Sequence, residues 1–127
     1  MDHPTVHALN WFEIPVRDLS RASAFYETLL ATTLRRETIG ANQLAVFVCG
    51  EHGVGGCLMA GETASAPSTS GTLVYVNATP SLAAVLARVE AAGGHITTPK
   101  VQLPGDMGCF AHITDTEGNC VGLHALA

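Results

Sequence analysis

The two halves of the chain share one order of predicted elements. In each half an apolar strand precedes a helix, and about three further strands follow it. Between the halves, residues 61–71 (GETASAPSTSG) are small, polar and proline-containing, which predicts a linker. We therefore expect a single domain over residues 1–127, with modules at about 7–60 and 72–127. Each module leaves one sheet face uncovered by its helix, and a cup between the sheets uses both faces.

Helix signals follow the first strand of each half. Asp18 is a suitable N-cap for the first helix, whose apolar residues recur at helical spacing. For the second helix, Thr79 is the predicted N-cap, Pro80 the first helical residue and Gly93 the stop signal. Both helices carry a single apolar stripe, so each is expected to bury one face against a sheet.

Composition excludes several classes of function. Charged residues make up only 13% of the chain and the net charge is −5, so nucleic-acid binding has no electrostatic support. No apolar run approaches the length of a membrane span, and no basic stretch followed by an apolar one opens the chain. The four cysteines form no CxxC pair, and the lack of a signal-peptide pattern favours reduced thiols. We expect a cytoplasmic protein that has no nucleic-acid or membrane partner.

Two motifs resemble a known superfamily over nearly the whole chain. The first is IPVRDLSRASAFYETLL, residues 14–30, and the second is DTEGNCVGLH, residues 115–124. Together they resemble the vicinal oxygen chelate superfamily, which includes glyoxalase I, bleomycin-resistance proteins and extradiol dioxygenases. Ala31 departs from the pattern, because relatives usually have glycine there. The resemblance implies an α+β fold of two βαβββ modules whose mixed sheets curve into a cup.

The resemblance also implies where catalytic relatives hold a metal ion. Carried over residue by residue, three of the four ligand positions fall on Trp11, Thr72 and Gly122, and the fourth falls on Gly56 or Cys57. Trp, Thr and Gly offer no ordinary side-chain ligand to a divalent ion. We therefore predict no metal site of the usual kind and no cofactor. A displaced site built from Glu13, His112 and His124 stays an alternative.

Strand alternation and the resemblance together identify the candidate site. If Trp11 faces the cup, alternation places Glu13 on the same face, and Gly122 likewise brings Cys120 and His124. The resemblance adds His112, where dioxygenase relatives keep an acid–base side chain. The predicted ligand-binding residues are Trp11, Glu13, Thr72, His112, Cys120 and His124.

Glu13 is unusual because it is a carboxylate inside an otherwise apolar strand. One interpretation makes it a general base or a hydrogen-bond acceptor for a substrate, with His112 as a second catalytic residue. The other pairs it with Arg17, Arg35 or Arg36 as an ordinary ion pair at the cavity rim. The sequence does not separate the two.

The favoured function is binding of a small organic molecule in the cup. The first alternative is an enzyme, a lyase, isomerase or dioxygenase that uses Glu13 as a base or a displaced metal. The second is a structural dimer with a filled cup. A homodimer is expected in each case, because relatives commonly pair modules between chains and sheet edges need cover.

Overall fold

The structure is a computed structural model that describes residues 7–127, and it holds two helices and eight strands in that range. In chain order they are β1 (Trp11–Pro15), α1 (Leu19–Leu30), β2 (Arg35–Ile39), β3 (Asn42–Val46), β4 (Gly55–Gly61), β5 (Tyr75–Asn77), α2 (Leu82–Ala92), β6 (His95–Gln102), β7 (Cys109–Thr114) and β8 (Cys120–Ala125).

The strands form two four-stranded sheets with the same topology. The order is β1-β4-β3-β2 in the first sheet and β5-β8-β7-β6 in the second. In each sheet the first strand pairs in parallel with the last, and the other neighbours are antiparallel. The α+β fold of two βαβββ modules with mixed sheets, expected from the sequence, is confirmed.

One hydrophobic core joins the helix-facing sides of both sheets. Along β1 it takes Ile14, and along β8 it takes Val121 and Leu123, so alternate residues of these strands point the other way. Phe25 of α1 reaches the second module, because a Cβ at Gly94 would lie 2.7 Å from its ring. The opposite face of β1 carries Trp11 and Glu13, and that of β8 carries Gly122 and His124.

The β7–β8 turn fastens the second module to the first. Tyr26 Oη donates a hydrogen bond of 2.7 Å to Asp115 Oδ2, and both residues are buried. From the same turn, Asn119 Nδ2 donates to the carbonyl oxygen of Pro15 at 2.7 Å. These bonds hold the end of β1 beside the start of β8, and so fix how the two sheets meet.

Glu117 of the same turn accepts hydrogen bonds from four residues, three at the start of α1 and one next to Glu117 in the turn. The backbone N–H groups of Arg17 and Asp18 donate at 2.9 Å, Arg21 Nε at 2.7 Å and Thr116 Oγ1 at 3.0 Å. The Glu117 side chain is fully buried. Burial by itself raises the pKa of this carboxyl, but Arg21 and the other donors outweigh it and lower the pKa to about 2.

The helix ends test the capping predictions. Asp18 accepts a hydrogen bond from the Arg21 N–H at 3.0 Å, so the N-cap of α1 is confirmed. The N-cap predicted for α2 at Thr79 is wrong, because the helix begins at Leu82 and Ser81 accepts from the Ala84 N–H. Ser81 has the extended backbone and the free hydroxyl that a cap requires, and the Thr-Pro pair lies two residues too early.

Two further features concern strand β2 and the end of helix α1. The sequence predicts about three strands after α1 but does not locate one at Arg35–Ile39, because all five residues are exposed and show no apolar alternation. Ala31 ends α1 with φ of 52°, a left-handed conformation that favours glycine and that alanine adopts at a cost of about 1 kcal/mol.

Within residues 7–127, no helix is long and apolar enough to cross a membrane.

Candidate functional site

The first strands of the two sheets lie on either side of two adjoining cavities. We call the region between β1 and residues 72–77 the seam. One cavity measures about 750 Å³ and the other about 420 Å³. Leu9, Phe12, Thr72 and Val74 line both, so the cavities meet at the middle of the seam. A volume of 300–1,000 Å³ is typical of sites for small organic ligands.

The larger cavity is mostly apolar. Its apolar lining includes Leu30 at the end of α1, Phe47 after β3, and Val48, which is exposed at the mouth. Asn77 and Thr79 add polar but uncharged groups. No charged side chain lines this cavity among residues 7–127. The arrangement suits an apolar body that is oriented by a few hydrogen bonds.

The smaller cavity contains three of the predicted site residues. Glu13, Thr72 and Cys120 all line it, although they come from β1, the segment before β5, and β8. Asn119 joins them, held in place by its hydrogen bonds to Pro15 and Asp115. The fold therefore brings these three predicted residues to one end of the seam.

In each sheet an aromatic side chain lies over a glycine of the neighbouring strand. Trp11 pairs with Gly55, where an added Cβ would lie 3.4 Å from Trp11 Cζ3. Tyr75 pairs with Gly122, where an added Cβ would collide with the Tyr75 ring. Trp11 is 43% exposed and Tyr75 is 48% exposed. The two rings give each sheet an accessible aromatic surface on β1 or β5.

Tyr75 also belongs to a hydrogen-bonded chain that the sequence did not reveal. Its hydroxyl lies 2.8 Å from His112 Nε2, and His112 Nδ1 lies 3.1 Å from Thr98 Oγ1. Each hydroxyl can donate or accept, so both ring nitrogens are satisfied in either neutral tautomer. Phe110 packs beside this chain, with its ring centroid 5.4 Å from that of His112. Tyr75 is also one of the residues that line the larger cavity.

The remaining predicted residues lie outside the cavities. His112 reaches the seam only through Tyr75. His124 Nε2 is hydrogen-bonded to the carbonyl oxygen of Met107 at 2.7 Å, and lines neither cavity. Trp11 likewise lines neither, although it stands on the same face of β1 as Glu13. Tyr75 was missed because only the β5–β8 register reveals its contact with Gly122.

Glu13 makes no ion pair within residues 7–127. Arg35 pairs with Glu37 at 2.6 Å, and neither Arg17 nor Arg36 reaches the Glu13 carboxylate. The rim ion pair considered from the sequence is therefore wrong for that part of the chain. The exposed Glu13 lies opposite Cys57 in the β1–β4 pairing. Burial first, and the Glu13 charge second, raise the pKa of the Cys57 thiol to about 11.

The resemblance noted in the sequence placed the usual metal-ligand positions on Trp11, Thr72, Gly122 and either Gly56 or Cys57. The indole of Trp11 and the ring of Tyr75 over Gly122 occupy two of these places. Cys57 is fully buried and its raised pKa disfavours the thiolate that binds metals. From His7 to Ala127, no group of three or more His, Cys, Asp or Glu side chains could hold a metal ion.

Solved structures share this fold. A glyoxylase/bleomycin resistance protein/dioxygenase domain from Frankia sp. EAN1pec superposes with a TM-score of 0.69 at 18% identity, covering 95% of this chain and 98% of that one. Fosfomycin resistance protein FosX from Listeria monocytogenes gives 0.63 at 17% identity, covering 95% and 92%. A glyoxalase I mutant from Zea mays gives 0.65 at 21% identity, covering 91% of this chain but 45% of that one.

No curated protein matches the chain. A family model does match it, over residues 8–123, which include both modules, the seam and both sequence motifs. The repeated topology, the shared core and the superpositions agree with that match. The chain belongs to the Glyoxalase/Bleomycin resistance protein/Dioxygenase superfamily, the group that also goes by the name vicinal oxygen chelate.

Proposed function

We propose that this protein binds a small, largely apolar organic molecule in the seam between its two sheets. The observation that carries the proposal is the cavity of about 750 Å³ between β1 and β5, which has an apolar lining and a few uncharged polar groups. The exposed rings of Trp11 and Tyr75 provide aromatic surface beside it.

A thermal-shift screen with apolar metabolites tests the proposal. A compound at about 100 times its Kd adds about 2.7 kcal/mol to the free energy of unfolding, because it binds only the native state. For a chain of this length that corresponds to a rise in Tm of about 10 °C. The proposal predicts at least one such compound among neutral or charged molecules with an apolar body. A broad screen without any stabilising compound would argue against it.

An enzymatic role is the second candidate, and one observation favours it. The chain from Thr98 through His112 ends at Tyr75, a residue that lines the larger cavity and whose hydroxyl can donate or accept a proton. Glu13 supplies a carboxylate at the other end of the seam. A lyase or isomerase reaction would use such groups. Turnover of a compound from the screen, lost in Tyr75→Phe, would support this candidate.

The metal content is a separate prediction. We expect the purified protein to hold no stoichiometric divalent ion, because the usual ligand positions carry Trp11, Thr72 and Gly122. Elemental analysis after dialysis measures this directly. One ion per chain, retained through dialysis, would contradict the prediction and revive the displaced metal site.

We further propose a cytoplasmic homodimer. The four cysteines are unpaired, which suits a reducing compartment. The exposed outer strand β2 carries Ile39, which is 61% exposed, at a sheet edge that a second copy would cover. Light scattering at micromolar concentration should give about twice the mass of the chain. A mass of one chain would contradict the dimer.

A further inference from the structure

The seam has an unbalanced charge. Leu9, Phe12, Thr72 and Val74, which line both cavities, are neutral, and so are the other lining residues with one exception. That exception is Glu13, the single charged side chain lining either cavity among residues 7–127. A ligand that entered the seam as an anion would meet a carboxylate and no cation.

The Glu13 carboxylate has no internal partner to satisfy it. It takes part in no side-chain hydrogen bond or ion pair in the described range, whereas Glu117 is held by Arg21 and Glu37 by Arg35. Its partner across the β1–β4 pairing is Cys57, a buried thiol that stays protonated at neutral pH. An unpaired carboxylate at a cavity wall attracts a complementary positive charge.

Aromatic rings are exposed on both sides of the seam. Trp11 lies two residues before Glu13 on the same face of β1, with almost half of its surface exposed. Tyr75, on the opposite side of the seam, exposes a similar fraction. An accessible aromatic face attracts organic ammonium groups through the cation–π interaction.

We infer that the seam takes an organic cation, a protonated amine whose apolar body fills the larger cavity and whose ammonium group is held by Glu13. This inference rests on the proposed function, and narrows it to one chemical class. The neutral polar residues Asn77 and Thr79 line the larger cavity, where they can orient the apolar body without adding charge.

Three probes with one apolar body separate charge from apolar binding. They are 4-tert-butylbenzylamine, 4-tert-butylbenzyl alcohol and 4-tert-butylbenzoate, which are cationic, neutral and anionic at pH 7. Calorimetric titration should give the amine an affinity about ten times that of the alcohol, and the benzoate the weakest affinity. Raising the salt concentration should reduce the advantage of the amine but leave the alcohol unchanged.

Two substitutions locate the charge effect. Glu13→Gln should lower the affinity for the amine about tenfold and leave the affinity for the alcohol unchanged. Its Tm should stay the same, because Glu13 is exposed and unpaired. Glu90→Gln, on the exposed side of α2, changes the net charge equally and should leave all three affinities unchanged.

The outcomes distinguish the inference from the proposed function. Equal affinities for the three probes, or a Glu13→Gln variant that keeps the preference for the amine, would overturn the inference and leave apolar binding in place. If no probe binds at millimolar concentration, the inference and the proposed function fail together.

Discussion

Glu117→Ala is expected to lower the free energy of unfolding by about 3–5 kcal/mol. The substitution removes a fully buried carboxylate that accepts from the N–H groups of Arg17 and Asp18, and from Arg21 and Thr116. Three of these groups lie where α1 begins, the fourth is the neighbouring Thr116, and all four would lose this partner. Because a domain is stable by only about 5–15 kcal/mol, the loss is a large share of the total.

Urea denaturation measures the effect, with Glu37→Ala as the matched control. Glu37 also forms an ion pair with an arginine, Arg35, but both side chains are exposed, so its loss should cost less than about 1 kcal/mol. If the two variants were destabilised equally, the β7–β8 turn would not be the fastening between the modules that the structure indicates.

The Glu117 carboxylate also predicts that the free energy of unfolding falls at acid pH. The folded-state pKa of Glu117 is about 2, against an ordinary value of 4.5, so the unfolded chain binds a proton first. Its contribution is complete above about pH 4.5 and disappears as the pH falls toward 2, a loss of about 3 kcal/mol. Glu117→Gln should be less stable than the wild-type protein at pH 7. Its free energy of unfolding should also change less between about pH 4.5 and pH 2.

Thr72→Trp is expected to reduce ligand affinity about 100-fold or more. Thr72 lines both cavities and is exposed, so an indole at this position fills the place where the cavities meet without entering the core. The Tm should change little for the same reason. Calorimetric titration with 4-tert-butylbenzylamine measures the affinity.

Thr97→Trp is the matched control for this variant. Thr97 is also exposed, lies in β6 and lines neither cavity, so the same added volume should leave binding unchanged. Unchanged binding in Thr72→Trp would place the ligand somewhere other than the seam. Equal losses in both variants would indicate a general effect of added indole on the protein.

Patterns among residues close together in the sequence predicted much of the fold. The apolar stripe of α1 and the cap at Asp18 depend on residues three or four apart, and both appear as expected. The strand at Arg35–Ile39 was missed because exposed edge residues carry no alternation. The start of α2 was misplaced because two capping signals, Thr79 and Ser81, lie close together and only one has the required backbone.

The site was less predictable because its contacts join distant parts of the chain. Alternation correctly indicates that Glu13 lies on the face of β1 opposite Ile14. The hydrogen bond between Tyr75 and His112 spans 37 residues and depends on the register of three strands. Glu117 bonds to a residue about a hundred positions earlier in the sequence, so the turn motif alone could not predict its role.

The most direct test of the central claim, that a small organic molecule binds in the seam, is an amide chemical-shift titration with 4-tert-butylbenzyl alcohol. This neutral probe tests the location without relying on the charge of Glu13. The account predicts saturable shifts at residues 9–15 and 72–77, and none on β2 or on the exposed side of α2. Saturable shifts confined to any other surface, or no shifts at millimolar concentration, would contradict it.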